Sequence, residues 1–156
     1  MELLADWKYV SDSVMGGVSS GRIKKGPVDG RSATRLLGEV SLDNNGGFLQ
    51  MAFDLCSNRH IFDASEFLGV ELDVLGNDQS YEMRLRTDQL IRPWQSYRIE
   101  FRALDKWTSI RLPFNEFKLH KTDIAFDQSR LKRLGILAIG REFKADISVS
   151  RIQFFR

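Results

Sequence analysis

An all-β antiparallel sandwich or jelly roll of about eight strands is predicted by three observations on this 156-residue chain. Apolar residues recur at every second position, turn-forming residues separate those stretches, and no helical pattern is long enough to cross regularly between parallel strands. In chain order, residues 34–42 are the first strand candidate. Leu49, Met51, Phe53 and Leu55 alternate with Gln50, Ala52 and Asp54, and Val70, Leu72 and Val74 alternate with Glu71 and Asp73; both read as strands with one wet face. Tyr81, Met83 and Leu85 against Glu82, Arg84 and Arg86, then Tyr97, Ile99, Phe101 and Ala103 against Arg98, Glu100 and Arg102, repeat the pattern. Residues 108–112, 134–139 and 145–155 complete the set. In the last, the apolar parity changes between Val149 and Ile152, which predicts a bulge near Ser150 and Arg151.

The separators are Gly16-Gly17, Gly26-Pro27, Asp29-Gly30, Asn44-Asn45-Gly46-Gly47, Gly76-Asn77-Asp78 and Arg92-Pro93. One or two short helical turns are expected, around 113–117 and around 129–134, the second with Ser129 as its cap. No repeat, linker or low-complexity tract divides the chain, so residues 1–156 are expected to form a single domain.

Composition narrows the function classes. There are 23 basic and 21 acidic residues, a balance that does not call for nucleic acid. The charge is uneven along the chain, with 7 basic and 12 acidic residues in 1–79 against 16 and 9 in 80–156. A single cysteine, Cys56, excludes an internal disulfide, and the start lacks the basic and apolar regions of a secretory signal, so a cytoplasmic location is expected. No apolar run approaches the roughly 20 residues of a membrane-spanning helix.

Motifs for chemistry are sparse. The stretch Gly16-Gly17-Val18-Ser19-Ser20-Gly21 has glycines like those of a phosphate loop, but Arg22-Ile23 stands where lysine and a hydroxyl are required. Those glycines are read as serving the backbone. His60 and His120 stand far apart, Cys56 lacks a nearby paired ligand, and the carboxylates follow no spacing rule that selects an acid and base. No catalytic, cofactor or metal site is therefore expected, although an oxygen-ligand calcium site around 43–45 or at Asn77 and Asp78 is conceivable. The clearest feature is arginine: if the strands carrying Arg84 and Arg86 and those carrying Arg98 and Arg102 are neighbours, four guanidiniums share one sheet face. Trp94 and Trp107 would add stacking surface, and Glu82, Glu100 and Asp88 would neutralise a solvated face. Alternatively, Tyr97 or Arg86 lines a partly polar concave surface.

Five blocks in order carry a resemblance: Ser11-Asp12-Ser13-Val14-Met15-Gly16-Gly17-Val18-Ser19 after Trp7; Gly46-Gly47-Phe48; Tyr81 through Leu85-Arg86; Tyr97 through Phe101; and Trp107 through Ile110, Leu112-Pro113-Phe114 and Phe117. Over about Trp7 to Phe155 the chain resembles the complex I intermediate-associated protein 30 family. The resemblance implies a galactose-binding-like jelly-roll β-sandwich and kinship with mitochondrial proteins that help to assemble respiratory complex I. It also suggests roles. Asp12 and Ser19 would hydrogen-bond backbone groups left open by the Gly16-Gly17 turn, the glycines would let the chain pass close under a strand, Trp107, Phe114 and Phe117 would close one end of the core, and Pro113 would stop a strand. The chain looks like a compact, free-standing member without a transit peptide. The expected function is non-enzymatic binding of a protein partner during assembly of a larger complex, with a sugar or small ligand as the alternative. The expected face is Arg84, Arg86, Trp94, Tyr97, Arg98 and Arg102.

Overall fold

The computed structural model describes residues 1–12, 16–56 and 60–156. Its strands are β1 (Lys8–Ser11), β2 (Ser20–Val28), β3 (Arg31–Val40), β4 (Phe48–Asp54), β5 (Gly69–Leu75), β6 (Gln79–Thr87), β7 (Ser96–Ala103), β8 (Thr108–Pro113), β9 (Lys118–His120), β10 (Leu131–Ile139) and β11 (Phe143–Phe155). They form two antiparallel sheets, ordered β1-β4-β10-β6-β7-β9 and β2-β3-β11-β5-β8. The chain is thus nearly all β, as the alternation predicts.

One residue of each alternating pair faces the space between the sheets. Leu49, Met51 and Phe53 of β4, Met83 and Leu85 of β6, and Leu134 and Ile136 of β10 meet Val70, Leu72 and Val74 of β5 and Ile147, Ile152 and Phe154 of β11. All are buried. Aromatic rings close the core: Trp7 packs edge-on to Phe53 at 4.7 Å, and Phe154 lies 5.3 to 5.9 Å from Phe62, Phe67 and Phe114. The register of β11 against β5 slips between Val149 and Arg151, so the bulge stands at Ser150 as the parity change requires.

Two expectations change. Residues 129–134 are not a helix: a 3-10 turn spans Gln128–Arg130, its cap is Asp127, which accepts from the Ser129 amide, and β10 starts at Leu131. Tertiary pairing of Leu131 with Thr87 takes this segment into the sheet. The second change concerns β5, whose supposed wet face is covered. Glu71 and Asp73 are only 8% and 9% exposed. Arg111 and Arg151 reach Glu71 at 2.6 and 3.3 Å, Gln153 donates to it, and Asp73 takes Ser109 Oγ and Arg151 Nε. The turn over 113–117 is present as a 3-10 turn, Phe114–Glu116, directly after Pro113. Among the described residues no helix is long and apolar enough to cross a membrane.

Candidate partner-binding face

The glycine-rich block and the Gly46-Gly47-Phe48 block meet at one buried carboxylate. Asp12 is fully buried; its Oδ1 accepts the Ser19 amide at 3.1 Å, and its Oδ2 accepts the Ser19 hydroxyl at 2.6 Å, the Gly47 amide at 2.6 Å and the Phe48 amide at 3.3 Å. Ser19 passes the link on, its hydroxyl accepting from the Ser41 amide at 2.8 Å. Two glycines make room: a Cβ on Gly17 would stand 2.4 Å from Asp12 Cγ, and one on Gly46 would stand 2.4 Å from Oδ2. Burial pushes the Asp12 carboxyl up, but the Ser19 hydroxyl and the Gly47, Phe48 and Ser19 amides together outweigh it and hold it below its ordinary range. The family block therefore acts as a knot tying β1, β2 and β4 together. Ser13, Val14 and Met15 lie outside the described residues. Gly21 already lies in β2, so this loop runs into a strand and not into a phosphate-cradling helix end.

The arginines are arranged by the pairing of β6 with β7. Arg84 stands opposite Arg98, and Arg98 opposite Lys118 of β9, all on the face away from the core. Glu82 and Glu100 form the next row, Ser80 and Arg102 the one beyond. Arg84 is largely buried; its Nε donates to Glu82 at 2.8 Å and its Nη1 to Ser96 Oγ at 3.2 Å. Arg98 lies 3.8 Å from Glu82, and Arg102 pairs with Asp78 at 2.9 Å. A recess of about 380 Å³ beside this row is lined by Glu82, Arg98, Ile99, Glu100, Glu116 and Lys118. His120, next along β9, is held below its ordinary value by burial and by the charges of Arg84, Arg98 and Lys121, with Glu82 opposing them.

Two members of the expected face are placed elsewhere. Tyr97 is buried on the opposite, inner side of β7, where it packs 4.9 Å from Phe126 and donates its hydroxyl to the Ile124 carbonyl at 2.9 Å. Arg86 is turned to structure: Nη1 donates to the carbonyls of Arg92, Pro93 and Gln95 at 2.9, 3.2 and 2.5 Å, and Nη2 to that of Leu90 at 3.3 Å. One guanidinium thereby holds the loop between β6 and β7, a use that a count of arginines on a face does not reveal. The same loop carries Trp94, 56% exposed, and Ile91, 80% exposed, at the rim. Arg92 lies over the Trp94 ring at 5.9 Å.

Trp107 belongs to the other sheet, just before β8. Its indole donates to the Asp29 carbonyl at 3.3 Å and Arg31 lies over its ring, so it stands at the end of β8 opposite Phe114 and Phe117 and adds nothing to the arginine face. Phe114 and Phe117 do converge, both within 6.5 Å of Phe126. Asn77 and Asp78 are engaged by Tyr81, Lys144 and Arg102, and no group of three or more His, Cys, Asp or Glu gathers among the described residues. Sequence reasoning missed the covered pair Glu71 and Asp73; the arginines that cover them, Arg31, Arg111 and Arg151, come from three other strands.

Solved structures with this architecture include the family 11 carbohydrate-binding module of the cellulosomal cellulase Lic26A-Cel5E of Clostridium thermocellum, 13% identical with a TM-score of 0.79 over 99% of this chain and 94% of that one. The family 30 carbohydrate-binding module of cellulosomal cellulase Cel9D-Cel44B of the same organism is 14% identical, with a TM-score of 0.68 over 98% and 92%. At these identities the likeness establishes the galactose-binding-like sandwich fold. No curated protein sequence matches. The family model described as complex I intermediate-associated protein 30 matches residues 1–149, and this chain belongs to that family.

Proposed function

We propose that this domain is a non-enzymatic binding domain that holds a protein partner during assembly of a larger complex, docking it on the outward face of β6, β7 and β9 and on the rim loop. The family supports an assembly-related role. The observation that carries the reading is the rim: Ile91 and Trp94 are exposed on a loop that Arg86 holds through four carbonyls. Such a loop presents apolar area without ordering cost, and tryptophan beside arginine is the composition of energetic anchors at protein interfaces. Affinity capture from native cells tests it. A specific partner recovered with the native protein, and lost with an Ile91→Ser/Trp94→Ala variant of unchanged melting temperature, is expected. Equal recovery with both, or repeated recovery of none, refutes it.

A sugar ligand is the second reading, favoured by the fold shared with carbohydrate-binding modules. Its aromatic resource on the expected face is Trp94 alone, since Tyr97 is buried, and Arg86 is committed to carbonyls. Calorimetry with β-glucan oligosaccharides decides between the two: saturable heat abolished by Trp94→Ala would favour the sugar.

A further inference from the structure

Strand β11 changes partners along one of its edges. From Phe143 to Val149 that edge is paired with β3, and the pairing stops at Val149 and Thr34. Past the bulge at Ser150 the same edge is taken by residues 1–3: the Leu3 amide donates to the Ile152 carbonyl at 2.9 Å, the Phe154 amide donates to the Met1 carbonyl at 2.9 Å, and Glu2 stands opposite Gln153. β5 holds the other edge from Ser148 to Phe155. The sheet therefore forks at the bulge, where the extra residue bends the strand. On one side β3 runs on with β2 alone over Ser32 and Ala33; on the other, residues 4–7 lead off to β1 in the second sheet. A recess of about 300 Å³ lies in the fork.

Its walls hold hydrogen-bonding groups that the protein does not use. Trp7 is only 3% exposed and packs edge-on against Phe53, and its indole N–H has no acceptor among the described residues. That nitrogen is not among the polar atoms sealed from solvent without a partner, so it opens on the recess that Trp7 lines. The hydroxyls of Ser32, Thr34 and Ser150, from β3 and from the bulge, are also without a partner among the described residues. A donor buried without an acceptor costs stability unless whatever fills the space supplies one. The charges at the mouth are spent or opposed. Lys25 pairs with Asp6 at 3.3 Å, Arg151 pairs with Glu71 and Asp73, and Glu2 adds a carboxylate that repels anions.

We propose that this recess binds a neutral, hydroxyl-rich ring of the size of one hexose. Hydroxyls both donate and accept, so such a ligand answers the indole N–H as an acceptor and the serine and threonine hydroxyls in either sense. Its C–H face has Leu3, Ala5 and Ala33 to rest on. The volume stands at the low end of small-molecule sites, roughly 300–1,000 Å³, which admits one ring and excludes a chain lying at full length. The recess belongs to β2, β3 and β11 of the five-stranded sheet, whereas the partner face and the Trp94 loop belong to the six-stranded one. The site is thus independent of partner docking and separate from the tryptophan on which the sugar reading above relies.

The indole N–H signals of Trp7, Trp94 and Trp107 report on it by NMR of the nitrogen-labelled full chain, each assigned from its Trp→Phe variant. Glucose, galactose and their methyl glycosides are the probes, with inorganic phosphate and cyclohexanol as controls. The expected result is a saturable shift of the Trp7 signal with at least one sugar, larger than with either control, while the Trp94 and Trp107 signals stay in place. A Ser32→Phe variant, which fills the recess from its exposed rim, should keep the native melting temperature and lose the shift, and Trp94→Ala should keep it. Trp7→Phe removes the donor, leaves a ring beside Phe53, and should lose the heat of sugar binding measured by calorimetry. A response to the free sugars alone supports a small metabolite as the ligand, and a response to the methyl glycosides as well supports the end of a glycan chain. No saturable shift at Trp7, a shift that survives Ser32→Phe, or an equal response to cyclohexanol or phosphate overturns the inference, and none of these bears on the rim-loop capture result.

Discussion

Replacing Asp12 by asparagine should cost this fold several kcal/mol although the side chain keeps its shape. In the native protein Oδ2 takes three donors, from Ser19 Oγ, Gly47 and Phe48, and Oδ1 takes a fourth from the Ser19 amide. An asparagine has one oxygen, and whichever way it turns its amino group meets at least one buried N–H that previously had an acceptor. That unsatisfied amide costs about 1–3 kcal/mol, and losing the charge on the remaining bonds brings the total to roughly 2–4 kcal/mol. For a domain of this size the melting temperature should fall by roughly 5–15 °C. The pH dependence has a definite sign. The Asp12 carboxyl is held below its ordinary value in the folded state, so its contribution is complete above that ordinary value, near about pH 4, and is lost as pH falls through the lower, folded value. The gap between native and Asp12→Asn proteins, followed by far-UV circular dichroism, should be constant around neutrality and close in acid. A difference within about 2 °C at neutral pH, or a gap that ignores acid, would refute the knot. Gly17→Ala should reproduce much of the loss, since its Cβ would displace the same carboxylate.

Other outcomes follow from single contacts. Arg86→Met should release the four carbonyls of the rim loop, raising amide exchange over 90–95 while the exchange of β10 and β11 is unchanged. Phe154→Ala removes the ring shared by Phe62, Phe67 and Phe114 and should cost about 3–5 kcal/mol in urea unfolding. Tyr97→Phe deletes one buried hydroxyl bonded to the Ile124 carbonyl and should cost about 1 kcal/mol by the same measurement, without touching partner capture.

What could be read in the chain depended on what each strand must bury. The central strands β4, β5, β6, β7, β10 and β11 declare themselves because a one-residue slip would turn their apolar side outward. The edge strands β1, β2 and β9 carry no such requirement. β2 holds Lys24, Lys25 and Pro27, residues that discourage further pairing at an open edge, and reads as a loop. Parity also places Arg84 and Arg98 on the outer face of β6 and β7, since each is one residue away from a buried side chain, Leu85 and Tyr97. The fate of each arginine was hidden, because it depends on distant partners: the Arg86 guanidinium is consumed by a loop that folds back upon it, and Glu71 and Asp73 are covered by side chains from β3, β8 and β11.

The two outer faces of the sandwich hold their charges in different ways. On the five-stranded side, cations close over carboxylates that the sheet has buried: Glu71 and Asp73 lie beneath Arg111, Arg151 and Arg31, with Arg111 and Arg31 also resting on Phe155 and Trp107. Each of those guanidiniums already has an acid and, for two of them, a ring, so an incoming anion would have to displace a short, partly desolvated contact. On the six-stranded side the register sets Arg84 against Arg98 and Glu82 against Glu100, and Glu82 serves two guanidiniums as Glu71 and Asp73 each do on the other side. Arg84 is closed by Glu82 and Ser96, whereas Arg98 is half-exposed and 3.8 Å from Glu82, so an incoming anion would meet Arg98 first. Burial thus separates the two faces: on one the carboxylates lie beneath the arginines, and on the other the strand register lines like charges up across strands.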